Sequence, residues 1–118
     1  MAATPIGPYT PIVRAGDLLI VSGQVAVRDG VEVDGGVAAQ TAQVVANIEA
    51  QLATMGAALT DVVKTTCFLT EMDHFATFNA AYERAFGDHR PARSTVGVAA
   101  LPAEAFVVEI EAMAYKPE

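Results

Sequence analysis

Arg93 stands in the run Arg90-Pro91-Ala92-Arg93-Ser94-Thr95 of a chain with only 7 Lys and Arg against 14 Asp and Glu. A guanidinium at the mouth of a strand can pair with a surface acid or lie over apolar neighbours. It can also offer a planar fork to a carboxylate, which lysine does less well. Pro91 stiffens the approach and would hold such a fork in place. Arg90 reads as a surface residue. Glu109 and Glu111 alternate with Val107 and Met113 near the C-terminus. A carboxylate in a partly apolar seam has its pKa raised by desolvation, so it can move protons near neutral pH.

Other candidates carry weaker signals. Ser22-Gly23-Gln24 follows an apolar run, and its hydroxyl or a backbone amide can meet a substrate oxygen or simply make a turn. It lacks the second flanking glycine of a nucleophile elbow. Asn79 lies beside Phe78, where an amide is either structural or a ligand group. Tyr9, in a proline-rich arm, is a packing anchor or a lid. His74 and His89 lack metal-ligand spacing with each other or with Cys67 and read as surface residues. Cys67 reads as a small buried hydrophobe. No glycine-rich phosphate loop is present. These residues predict no metal site.

The elements that must position these groups follow from hydrophobic period. The prolines of Thr4–Pro11 predict an extended arm. Leu18–Val21 predicts a buried strand. Val25–Val27 and Val31–Val33 flank Asp29-Gly30, a hairpin signal. Val37, Thr41, Val44, Val45, Ile48, Leu52 and Met55 recur at spacings of three and four, which predicts a long helix stopped by Gly56. Val62–Leu69 predicts a strand. Asp73 is a candidate N-cap for a second helix with the stripe Phe75, Phe78, Tyr82 and Phe86, closed by Gly87. Strands are expected over Ser94–Val98 and Phe106–Tyr115.

Two amphipathic helices can cover one face of a sheet, giving a two-layer α+β domain over residues 1–118. The other face then lacks cover from within the chain. In the last strand Phe106, Val108, Ile110, Ala112 and Ala114 suit the covered core. Val107, Glu109, Glu111, Met113 and Tyr115 fall on the opposite face, where carboxylates mix with large apolar groups. That mixture predicts a seam with another subunit. Composition agrees, because 53% hydrophobic and 18% charged residues over 118 positions, with mean hydropathy +0.35, leave apolar surface to hide. No apolar run is long enough to span a bilayer. A net charge of −7 argues against nucleic-acid binding by counterion release, and the sequence offers no basic amphipathic helix for a membrane surface. One cysteine excludes an intramolecular disulfide. No secretory signal pattern opens the sequence, so a cytoplasmic location is expected.

Taken together, Ser22-Gly23-Gln24, Asp61-Val62-Val63-Lys64-Thr65-Thr66, Phe75-Ala76-Thr77-Phe78-Asn79-Ala80-Ala81-Tyr82, Pro91-Ala92-Arg93-Ser94 and Val108-Glu109-Ile110-Glu111-Ala112 resemble the RidA (YjgF/YER057c) family of enamine/imine deaminases, nearly end to end. The resemblance implies a chorismate mutase-like fold, a mixed sheet backed by two helices. It implies a homotrimer packed sheet-inward with active sites between subunits. It also implies hydrolysis of 2-imino and 2-amino-enoic acids, such as 2-aminoacrylate, to 2-keto acids and ammonia without a cofactor. By position, Arg93 would bind the substrate carboxylate and Glu109 would activate water or relay protons. Tyr9, Ser22 and Asn79 would line the pocket, with Thr95 where many deaminases carry cysteine. Rival readings are a non-enzymatic metabolite-binding or chaperone-like member, a ribonuclease, and a hydrolase of another enamine or carbamate-like acid.

Overall fold

Among the described residues, short apolar strands precede, separate and follow two amphipathic helices. The structure, a computed structural model, describes residues 7–118, so the first part of the arm expected over Thr4–Pro11 lies outside the described residues. The strands are β1 (Ile12–Ala15), β2 (Leu18–Val25), β3 (Val27–Arg28), β4 (Val31–Glu32), β5 (Val62–Leu69), β6 (Ala92–Gly97) and β7 (Val108–Tyr115). The helices are α1 (Gly36–Ala53) and α2 (Phe75–Phe86). Five strands form one sheet in the order β1-β2-β7-β5-β6, while β3 and β4 pair as a small hairpin. All neighbours in the large sheet are antiparallel except β5 and β6, which run parallel across the α2 crossover. The mixed two-layer α+β sheet expected from the sequence is therefore present.

The helix stripes form the core. Val37, Thr41, Val44, Val45, Ile48 and Leu52 of α1 are buried, as are Phe78, Tyr82 and Phe86 of α2. They meet Leu19, Val21, Cys67, Leu69, Val108, Ile110, Ala112 and Ala114 of the sheet. Each large apolar side chain so buried contributes roughly 1.5–3 kcal/mol. Gly56 and Gly87 end the helices in positive φ, as their positions predicted. Asp29 and Gly30, both at positive φ, make the β3–β4 turn.

Several boundaries differ from the sequence expectation. β1 has only four residues, interrupted by Arg14, and carried no clear strand signal. β2 runs on to Val25 and is not buried on both faces, since Leu18 and Ile20 are exposed between buried Leu19 and Val21. β6 starts at Ala92 and ends at Gly97, and β7 starts at Val108. Asp73 does not cap α2. It sits inside a 3-10 turn, Met72–His74, and His74 occupies the position before the helix. Met55 lies beyond α1 and is part exposed.

Candidate active site

Pairing registers decide which face each candidate takes. In β7, Val108, Ile110, Ala112 and Ala114 are buried under the helices, so Glu109, Glu111, Met113 and Tyr115 point to the open face. Across the sheet Glu109 pairs with Phe68, Glu111 with Thr66 and Met113 with Lys64, putting those β5 side chains on the open face as well. This face holds a cleft of about 580 Å³ lined by Tyr9, Ser22, Gly23, Lys64, Glu109 and Glu111 among others. Exposed Ile20 and Met113 also line it, and exposed Val13 and Tyr115 lie on the same face, paired with Ile20 and Leu18.

The Ser22-Gly23-Gln24 segment shapes the cleft. The β2–β7 register shifts between Val21 and Gln24, a bulge of the kind that re-aims side chains. Ser22 is tied on both sides: its amide donates to Pro11 O at 2.9 Å and its hydroxyl to Thr10 O at 2.7 Å. These bonds anchor the arm that carries Tyr9. A Cβ at Gly23 would overlap the Glu109 carboxylate. Glycine at this position is what lets Glu109 lie against the strand. Burial raises the Glu109 pKa above the usual carboxylate range, and the negative charge of Glu111 raises it further. Lys64 lines the same cleft and donates from Nζ to Ser94 Oγ at 2.9 Å.

Arg93 lies elsewhere. β6 pairs in parallel with β5, matching Arg93 to buried Thr65 and Thr95 to buried Cys67. Both β6 side chains are thus on the helix side, at the sheet edge. The Arg93 Cζ is 4.9 Å from the Tyr82 ring centroid, 5.3 Å from Phe78 and 5.8 Å from Phe75. Among the described residues Arg93 makes no ion pair and no side-chain hydrogen bond, while Arg14, Arg90 and Lys116 each pair with an acid. Arg90 binds Glu83 at 3.0 Å on the surface, as the sequence suggested.

The same region holds buried polar atoms without a partner among the described residues: Asn79 Oδ1, Thr95 Oγ1 and His74 Nδ1. Unmatched buried acceptors are uncommon in folded chains and call for a partner. Cys67 is fully buried, and burial pushes its thiol pKa up to about 11. Neither histidine is simply a surface group, because His74 is half-buried and His89 Nε2 lies 2.7 Å from Val62 O. Among the described residues no group of three or more His, Cys, Asp or Glu side chains comes together to hold a metal. No described helix is long and apolar enough to cross a membrane.

The six sequence candidates therefore divide into two sets. Tyr9, Ser22 and Glu109 share the open-face cleft. Asn79, Arg93 and Thr95 belong to α2 and the β6 edge on the helix side. Gly23 and Lys64 were not singled out from the sequence. Lys64 could have been placed by its alternation with Thr65, whereas the role of Gly23 depends on Glu109 across the sheet.

Comparison with known proteins gives a consistent picture. The family model described as Endoribonuclease L-PSP matches residues 1–116. A 2-iminobutanoate/2-iminopropanoate deaminase of Escherichia coli is 43% identical over 119 residues, covering 98% of this chain and 92% of that protein. A RutC family protein of Pyrococcus horikoshii is 43% identical over 117 residues, with 98% and 92% covered. The crystal structure of the E. coli YjgF gene product superposes with a TM-score of 0.89 at 44% identity, covering 97% of this chain and 92% of that one. E. coli TdcF with bound serine superposes with a TM-score of 0.90 at 36% identity, covering 98% and 93%.

Proposed function

We infer the activity of this chain from its membership: it belongs to the YjgF/RidA family, the one that the Endoribonuclease L-PSP model describes. Within that family the chain is a 2-iminobutanoate/2-iminopropanoate deaminase. It hydrolyses 2-imino acids, and enamino acids such as 2-aminoacrylate, to 2-keto acids and ammonia. The observation that carries this reading is Arg93, a cation without an acidic partner among the described residues, set at an edge beside the unmatched Asn79 Oδ1 and Thr95 Oγ1. A planar carboxylate is the natural ligand for such a fork.

Arg93 and Glu109 face opposite sides of one sheet, so a site that uses both is completed by a second copy. The cleft of one chain meets the β6 edge of the next. Three copies closing sheet-inward would also cover the exposed Ile20, Met113 and Tyr115. Arg93 fixes the substrate carboxylate and Glu109 manages protons. An enamine first takes a proton at C3 from the protonated Glu109, giving the imine. Water then attacks C2 as its proton passes to the Glu109 carboxylate. Glu109 returns that proton to nitrogen, then takes the hydroxyl proton as the carbonyl forms and the C–N bond breaks, so ammonia leaves, the keto acid remains and Glu109 is protonated again. The imine carbon is already electrophilic, so placement and proton transfer are the main demands. The raised Glu109 pKa brings its two protonation states closer to neutral pH, which suits a group that must both give and take.

A ribonuclease role has little support in a chain of net charge −7. A binding-only role differs from the deaminase in turnover. The test is to generate 2-aminoacrylate with a serine or threonine dehydratase and follow semicarbazone trapping. Keto acid release faster than in buffer is expected; an unchanged rate would reject the reading.

A further inference from the structure

The Arg93 guanidinium lies over three aromatic rings from successive turns of α2, Phe75, Phe78 and Tyr82, at 5.8, 5.3 and 4.9 Å. The rings are themselves ordered. Phe78 and Tyr82 are 5.6 Å apart, and Tyr82 and Phe86 are 4.7 Å apart. The Tyr82 hydroxyl lies 2.7 Å from Thr65 Oγ1, and Thr65 is fully buried in β5 directly opposite Arg93 in the parallel register. One short hydrogen bond thus joins the helix that carries the rings to the strand that pairs with the arginine strand.

We propose that Phe75, Phe78 and Tyr82, with Tyr82 latched by Thr65, are positioning residues that hold the Arg93 guanidinium face-on while leaving its N–H edge to the substrate carboxylate. This rests on the assignment of Arg93 as the carboxylate grip. The reasoning is geometric. A protein carboxylate would fix the guanidinium through the same in-plane N–H groups that a substrate needs, and would compete with it. Aromatic faces attract the cation through its plane and leave the fork unoccupied. The surroundings keep that charge uncompensated. Thr65 and Cys67 of β5 lie opposite Arg93 and Thr95 in the register, Tyr82 supplies one of the rings, and Asn79 follows Phe78 on the same helix. Burial raises the pKa of both the Tyr82 phenol and the Cys67 thiol, so each stays neutral. Arg93 is then a single positive charge above a neutral floor, where its pull on an anion is stronger than in water.

The tray is tested with 2-oxobutanoate, a stable carboxylate of the product class, binding to the intact oligomer by calorimetry, beside kcat and KM for 2-aminoacrylate. Tyr82→Leu removes a ring and should raise Kd and KM about tenfold, and Phe75→Leu about threefold, with kcat changed less than about twofold. Tyr82→Phe keeps the ring and loses only the latch, so it should recover most of the lost affinity. The Arg93 Nε–H resonance should move away from its ring-shifted position in Tyr82→Leu. Phe75 is part exposed and carries the test if Tyr82→Leu fails to fold. Wild-type Kd in folded ring variants, with an unmoved Arg93 resonance, overturns the proposal even if the wild-type enzyme turns over. Weakened binding in the ring variants of a wild-type protein that shows no turnover upholds the tray and rejects the deaminase reading.

Discussion

Removing the guanidinium of Arg93 is the perturbation whose size the structure fixes most directly. Bound to a carboxylate, the fork makes two charge-assisted hydrogen bonds, each about 1.5–3 kcal/mol. Their loss in Arg93→Ala is about 3–6 kcal/mol of transition-state binding, or roughly 10²–10⁴ in kcat/KM. Arg93→Lys keeps a charge but loses the planar fork and the guanidinium's approach to the Tyr82 and Phe78 rings at 4.9 and 5.3 Å, so about 10–100-fold is expected. Stability should hardly change, because Arg93 gives up no ion pair and no side-chain hydrogen bond among the described residues. The loss is limited to its contact with the rings, about 1 kcal/mol. The assay is semicarbazone trapping of 2-aminoacrylate beside an imine that lacks a carboxylate, with thermal melting as the folding control. Arg93→Ala should lose the first activity and leave the second at the wild-type rate. A folded Arg93→Ala protein within threefold of wild type on 2-aminoacrylate would refute the carboxylate grip.

Two further variants probe the cleft. Gly23→Ala places a methyl group where the Glu109 carboxylate lies, so kcat should fall by about tenfold or more through displacement of the proton-transfer group, with the melting temperature little changed. Glu109→Gln keeps the shape and removes the exchangeable proton, so kcat should fall about 10²–10⁴-fold. The same substitution has a pH-dependent effect on stability. The Glu109 pKa is raised in the fold, so the folded chain holds that proton more tightly than the unfolded one. Its contribution is present below the ordinary carboxylate range and lost as pH rises through the raised pKa. Glu109→Gln should therefore raise the melting temperature relative to wild type at pH 7 and not at pH 4; equal shifts at both would remove that account.

Much of the fold was legible because its hydrophobic periods are strong. The α1 stripe from Val37 to Leu52, the β-branched run of β5 and the Asp29-Gly30 turn each point one way. The alternation around Glu109 and Glu111 also located the open face. The face taken by Arg93 was not legible. Ala92-Arg93-Ser94-Thr95 has no apolar period, and its orientation comes from parallel pairing with Thr65 and Cys67. Phe75, Phe78 and Tyr82 read as an ordinary core stripe, since period cannot tell that Phe75 is exposed or that the rings face a cation. Gly23 has no side chain to signal its part, which lies in the space it leaves to Glu109. Asp73 had the chemistry of a cap, but the 3-10 turn over Met72–His74 put another residue at the helix start.

The central claim is a site shared between copies, with Arg93 from one chain and Glu109 from its neighbour. Co-expressing Arg93→Ala and Glu109→Ala chains tests it, because each variant alone lacks one half of every site. In randomly mixed oligomers a site is intact when an arginine-bearing chain meets a glutamate-bearing neighbour, so about a quarter of wild-type deaminase activity should return. Mixed oligomers that form but stay as inactive as either parent would contradict the shared site.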